Sequence, residues 1–84
     1  MKRGPQKHSI TLKGHRTSVS LESPFWEAFR EIARQMGLTT NALALKIDSE
    51  RTTDSGLAST IRVYVLNHYR DLALGLKRDE TPKV

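Results

Sequence analysis

Between Arg16 and Leu21 polar and apolar residues alternate with a period of two, the pattern of a half-buried β-strand. Arg16, Ser18 and Ser20 fall on one face; Thr17, Val19 and Leu21 fall on the other, which is the candidate core face. From Ser23 onward the period changes to that of a helix. Phe25, Phe29, Ile32, Ala33 and Met36 make one continuous apolar stripe, widened by Trp26. Ser23 is the expected N-cap, Pro24 the first helical residue, and Glu27 lies at the favourable end of the dipole. Gly37 supplies a left-handed residue to end the helix. Three of the chain's five aromatic residues lie here, so this helix is expected to anchor the core.

A hydroxyl residue, Thr39, then stands where a second helix would be capped, ahead of a helical run from Asn41 to Arg51. Leu43 and Ile47 are four apart, with Leu38, Ala42 and Leu45 in an adjacent row. Residues 52–56 (Thr-Thr-Asp-Ser-Gly) read as a loop, with Asp54 or Ser55 able to cap a third helix. That helix carries Leu57, Ile61, Val65 and Leu72 on one row, flanked by Tyr64, Leu66 and Tyr69. His68 continues the row as a packed or partly exposed residue. Gly75 ends the pattern, and residues 75–84 read as a disordered tail.

Ahead of the strand, residues 1–7 are basic and nearly devoid of apolar side chains, which predicts a flexible arm. His8 to Lys13 holds a second short alternation, with Ile10 and Leu12 two apart, followed by Lys13-Gly14. Two arrangements fit: a hairpin turning at Gly14, or one extended arm kinked there. Lys-Gly is not among the strongest hairpin pairs, so the pattern leaves both open. The folded domain is expected to span residues 8–74.

A lone six-residue strand cannot satisfy its backbone or bury its apolar face. The expected partner is the same strand in a second copy. Composition supports this, because a chain of 84 residues with no cysteine has neither disulfides nor thiolate metal sites to reinforce a small core. No apolar run approaches the length of a membrane span, and no apolar segment follows the basic N-terminus, so a cytoplasmic protein is expected. The formal net charge is +5, and residues 1–21 contain no acidic residue. Such a domain favours polyanionic partners, nucleic acid among them.

The chemistry on offer is that of binding. Arg16, with the hydroxyls of Ser18 and Ser20, can hydrogen-bond base edges or phosphates, and arginine can grip a guanine with two bonds. The free N–H groups at the helix that starts at Thr39 make a seat for a phosphate, assisted by the hydroxyls of Thr39 and Thr40; plain capping is the competing role. The chain has no glycine-rich phosphate loop and no nucleophile elbow. His8 and His15 are not at metal-ligand spacing, and His68 is remote from them. No enzyme activity, metal or cofactor is expected.

The order strand, helix ending at glycine, hydroxyl-capped helix resembles the ribbon-helix-helix family, as found in small bacterial DNA-binding proteins. The residues that carry the resemblance are His15-Arg16-Thr17-Ser18-Val19-Ser20-Leu21-Glu22, Phe25-Trp26, Leu38, Asn41-Ala42-Leu43, Arg62-Val63, Val65-Leu66 and His68-Tyr69-Arg70. The resemblance implies a mostly α fold with one short β-strand, an intertwined homodimer with an intermolecular antiparallel ribbon in the major groove, and here an additional C-terminal helix. It implies base contacts from Arg16, Ser18 and Ser20. Phosphate contacts would come from Thr39, Thr40 and Asn41, with Lys13 beside them, and Val19, Leu21, Phe25, Phe29 and Ile32 would form the dimer core. In a rival register residues 39–51 are an insertion and Ser55, Gly56 and Leu57 seat the phosphate. The short connection at Gly37-Leu38-Thr39 favours the first. The expected function is a sequence-specific DNA-binding repressor or autoregulator whose partners are double-stranded DNA and a second copy of itself. The alternative is a protein-interaction module, an antitoxin or adaptor, that binds its partner through residues 55–84.

Overall fold

A computed structural model describes residues 4–51 and 56–75, with the element order β1 (Gln6–Leu12), β2 (His15–Leu21), α1 (Ser23–Gln35), α2 (Thr40–Glu50) and α3 (Leu57–Ala73). The two strands form an antiparallel hairpin, in register from Gln6 opposite Leu21 to Leu12 opposite His15. The extended-arm arrangement is thereby excluded. One expectation is corrected: the fold has two strands rather than one, with β2 paired to β1 of its own chain.

The turn explains why a weak sequence signal sufficed. Lys13 has φ 52° and Gly14 φ 80°, so both central residues are left-handed, as a two-residue turn matching the twist of paired strands requires. Gly14 adopts this without penalty, and Lys13 is the chain's one described non-glycine residue at positive φ. The strand also begins earlier than composition suggests. Gln6 and Lys7, expected in the arm, are part of β1, since a ladder partner can order a polar segment that lacks apolar residues of its own. Residues 1–3 of that arm lie outside the described residues.

α1 starts one residue earlier than expected. Glu22 is the N-cap, in extended backbone at φ −63° and ψ 149°, and its carbonyl accepts from Trp26 N at 3.0 Å. Ser23 is therefore the first helical residue and Pro24 the second, where its missing N–H is still not needed by the helix. At the other end Gly37, at φ 73°, closes a Schellman motif: Leu38 N donates to Ala33 O at 2.9 Å and Gly37 N to Arg34 O at 3.1 Å. Thr39 caps α2 as expected, its hydroxyl oxygen accepting from Ala42 N at 3.0 Å. α3 is capped by Gly56, with no side-chain bond at that position; Asp54 and Ser55 lie outside the described residues. Gly75, again left-handed, follows the end of α3, and residues 76–84 of the expected tail also lie outside.

One core lies between the hairpin and the helices. Ile10, Val19 and Leu21 come from the strands, Phe29, Ile32 and Ala33 from α1, Leu43, Ala44 and Ile47 from α2, and Ile61 and Val65 from α3. Phe25, Trp26, Leu38, Leu57 and Tyr64 pack partly buried around it. Val19, Leu21, Phe29 and Ile32, expected to close a dimer core, are thus already buried within a single chain, and Phe25 is half-buried. Within the chain, β1 and the third helix contribute to that burial through Ile10, Ile61 and Val65.

Candidate nucleic-acid interface

The hairpin has two unlike faces. Gln6, His8, Ile10 and Leu12 of β1, with Val19 and Leu21 of β2, point toward the helices and are buried or half-buried. On the other face the register sets Lys7 opposite Ser20, Ser9 opposite Ser18, and Thr11 opposite Arg16. All six of these side chains are exposed. Pairing therefore places Arg16, Ser18 and Ser20 on one polar surface, as alternation predicted, and adds Lys7, Ser9 and Thr11. Those three escape a reading of the sequence because Lys7 looks like part of an arm and the hairpin is undecided; the signal is the alternation of Ile10 and Leu12, which fixes Ser9 and Thr11 to the opposite face. The surface holds hydroxyls and two cations, with no carboxylate between Gly4 and Leu21.

The nearest acidic residue in sequence is occupied. Arg62 on α3 donates from Nε and Nη2 to one carboxylate oxygen of Glu22, at 2.9 and 2.8 Å. A hydrogen bond from its own backbone, and then the Arg62 guanidinium, hold the Glu22 carboxyl below the ordinary carboxylate range. The same guanidinium donates to Ser20 O at 3.4 Å and lies 5.7 Å from the centre of the Phe25 ring. One side chain thereby ties α3, the start of α1 and the end of β2 together.

The two edges of the hairpin differ. A ladder closed by a two-residue turn alternates, so Leu12, Ile10, His8 and Gln6 exchange bonds with β2 while Lys7, Ser9 and Thr11 direct their backbone groups outward. On that outer edge Thr11 N donates to the side-chain Oδ1 of Asn41 at 3.1 Å, where the start of α2 packs on β1. By the same alternation Arg16, Ser18 and Ser20 direct their N–H and C=O groups to the far edge of β2, where the described residues supply the Arg62 contact to Ser20 O.

The residues expected to seat a phosphate are only partly free to do so. The Thr39 hydroxyl caps its own helix and the Asn41 amide is engaged with β1, while Thr40 is half-buried. Lys13 is exposed at the hairpin turn. In the rival register Gly56 is exposed and Leu57 half-buried, and Ser55 lies outside the described residues. The histidines are not brought together into a ligand set. His8 stacks on Trp26 with ring centres 3.9 Å apart and planes 7° apart, His15 is exposed next to the turn, and His68 is edge-on to Tyr69. Among the described residues no group of three potential metal ligands occurs, and no helix is long and apolar enough to cross a membrane.

α3 leaves several apolar side chains uncovered. Val63, Leu66, Tyr69 and Leu72 are 56, 55, 37 and 53% exposed, along a line that winds half-way round the helix. The helix contacts β2 as well as α1 and α2.

A hairpin with a polar outer face on three helices, with the middle connection closed by Gly37, matches a known domain. The chain belongs to the ribbon-helix-helix domain family, whose model matches residues 5–69, from before β1 to near the end of α3. It is similar to the solved structure of an uncharacterized protein from Bordetella pertussis Tohama I, at 29% identity and a TM-score of 0.74. That similarity covers 95% of this chain and 68% of the other. Comparison with curated proteins finds no match.

Proposed function

We propose that this protein is a homodimeric, sequence-specific DNA-binding regulator, acting by occupancy without a catalytic step. The observation that carries the reading is the outer face of the hairpin: six exposed polar side chains, two of them cationic, on a surface free of carboxylates. A β-ribbon of this kind fits the major groove, where arginine pairs with guanine through two hydrogen bonds and hydroxyls reach either base edges or phosphates. Membership of the family supports the same reading. The second copy would add its β2 to the far edge of this β2, which presents the backbone of Arg16 and Ser18, and cover exposed apolar side chains of α3. Repression of a promoter by steric occlusion is the regulatory outcome such a dimer would have.

Arg16 is assigned the strongest discrimination between bases. Fluorescence titration of Arg16→Ala tests this, against the best duplex recovered from a randomised pool and against a duplex of random sequence. The selected duplex should lose about 1–3 kcal/mol of binding free energy per Arg–guanine pair, and the random duplex much less. Equal losses on both would make Arg16 a phosphate contact instead.

A further inference from the structure

We propose that β1 is a second DNA-contacting strand, with Lys7, Ser9 and Thr11 against the sugar–phosphate walls of the groove while Arg16, Ser18 and Ser20 of β2 face its floor. This rests on the dimeric DNA-binding reading above and assigns separate tasks to the two strands.

The order of strands decides which one is central. Asn41 occupies the outer edge of β1 at Thr11, and α2 packs against β1, which obstructs a full ladder along that edge. The far edge of β2 presents the backbone groups of Arg16 and Ser18. Two chains joined edge to edge at β2 therefore make a four-stranded sheet with β1 on each flank. Adjacent strands lie about 4.8 Å apart, so four of them span about 14 Å between their outermost axes, before side chains are added. The major groove is about 12 Å wide and takes a two-stranded ribbon. The inner pair fills it, and the outer strands meet its rims.

The side chains on β1 suit a rim. Lys7 is a long cation with a compact ammonium head, which binds phosphate as a point charge and carries little base discrimination. Ser9 and Thr11 are short hydroxyls able to donate to phosphate oxygens. The cation with planar, two-bond geometry, Arg16, stands on the inner strand instead, directly across from Thr11. The distribution of arginine and lysine thus follows the distinction between floor and wall.

Salt dependence separates the two tasks. Each phosphate neutralised contributes about 0.9 to the slope of log K against log salt. Lys7→Gln should reduce that slope by about 2 per dimer, while the ratio of affinities for the selected and random duplexes stays within about twofold of wild type. Lys7→Arg should restore the slope, and Arg16→Ala should collapse the ratio. Lys7 is exposed, so Lys7→Gln should retain the wild-type circular dichroism and urea midpoint. An unchanged slope in Lys7→Gln, or a collapsed ratio, would overturn the assignment of β1 to the walls. Failure of the wild type to bind either duplex at about 50 mM salt would instead remove the DNA-binding reading and this assignment with it.

Discussion

At the scale of single residues, Glu22 does more than end a strand. It caps α1 with its carbonyl and holds Arg62 with its carboxylate, so two elements distant in sequence meet on one side chain. Because the folded Glu22 has a depressed pKa, its contribution to stability is fully present above the unfolded carboxyl value of about 4.5 and is lost as pH falls through the folded one. The urea midpoint should therefore decline on acidification below pH about 4.5, and Glu22→Gln should flatten that decline. Glu31, similarly held down by Arg34, leaves a residual slope in the variant. An acid limb identical in wild type and variant would show that the Arg62 contact contributes nothing. The cap role of Glu22 was not legible, because Ser23-Pro24 is the better cap signal by residue type. What decided it was the extended backbone at Glu22, which lets its carbonyl reach Trp26. Gly37 and Thr39 were legible, since each is among the few residue types that meet the local backbone requirement cheaply.

At the scale of elements, the helices follow from periodicity, and the partner of β2 does not. Ile10 and Leu12 alternate over too few residues to fix a strand, Lys-Gly is a weak turn signal, and Gln6-Lys7 have no apolar residue between them. Pairing resolves all three, because a ladder to β2 supplies the backbone bonds that local sequence cannot announce. The polar outer face was consequently half visible: β2's Arg16, Ser18 and Ser20 came from alternation, whereas Lys7, Ser9 and Thr11 needed the register. The same logic specifies how two β2 strands would meet. A symmetric ladder that employs all three edge-facing residues sets Ser18 opposite its own mate and Arg16 opposite Ser20 of the second copy. Directly opposed residues of that kind have Cα atoms about 5.5 Å apart, within disulfide reach. In this cysteine-free chain, Ser18→Cys should form a reducible covalent dimer under mild oxidant. A variant that stays monomeric on a non-reducing gel, while Lys13→Cys cross-links readily, would show that the strands meet elsewhere.

At the scale of the molecule, the question is how much one chain accomplishes by itself. Among the described residues it buries eleven core side chains, drawn from all five elements, yet leaves Val63, Leu66, Tyr69 and Leu72 partly exposed along α3. Leu66 is the middle of the exposed stretch, with Val63 and Tyr69 each about 60° away around the helix, so it is the position at which to test α3 as a contact surface. Leu66→Asp should shift the protein from dimer to monomer in analytical ultracentrifugation, and should abolish the dependence of the melting temperature on protein concentration. Retention of a concentration-independent dimer would move the interface off α3. Size and the lack of cysteine lead one to expect a shortage of core, and the chain meets part of that need internally. Its third helix places Ile61 and Val65 against the strands and helices, work that the pattern of residues alone assigns to a second copy.

The two-residue turn at Lys13-Gly14 has a kinetic consequence. It closes a ladder between residues close in sequence, so the hairpin forms in a unimolecular step on the scale of about 1–10 μs for isolated hairpins. A ribbon woven from two chains exists only after they have met, and its order depends on their concentration. Here the strand is ordered and its polar side chains are aligned before any encounter. On the proposed reading, docking would then cost less backbone entropy, because the strands that carry the contacting side chains are already ordered. On the DNA-binding reading proposed above, each chain would bring a preorganised half-site to the complex.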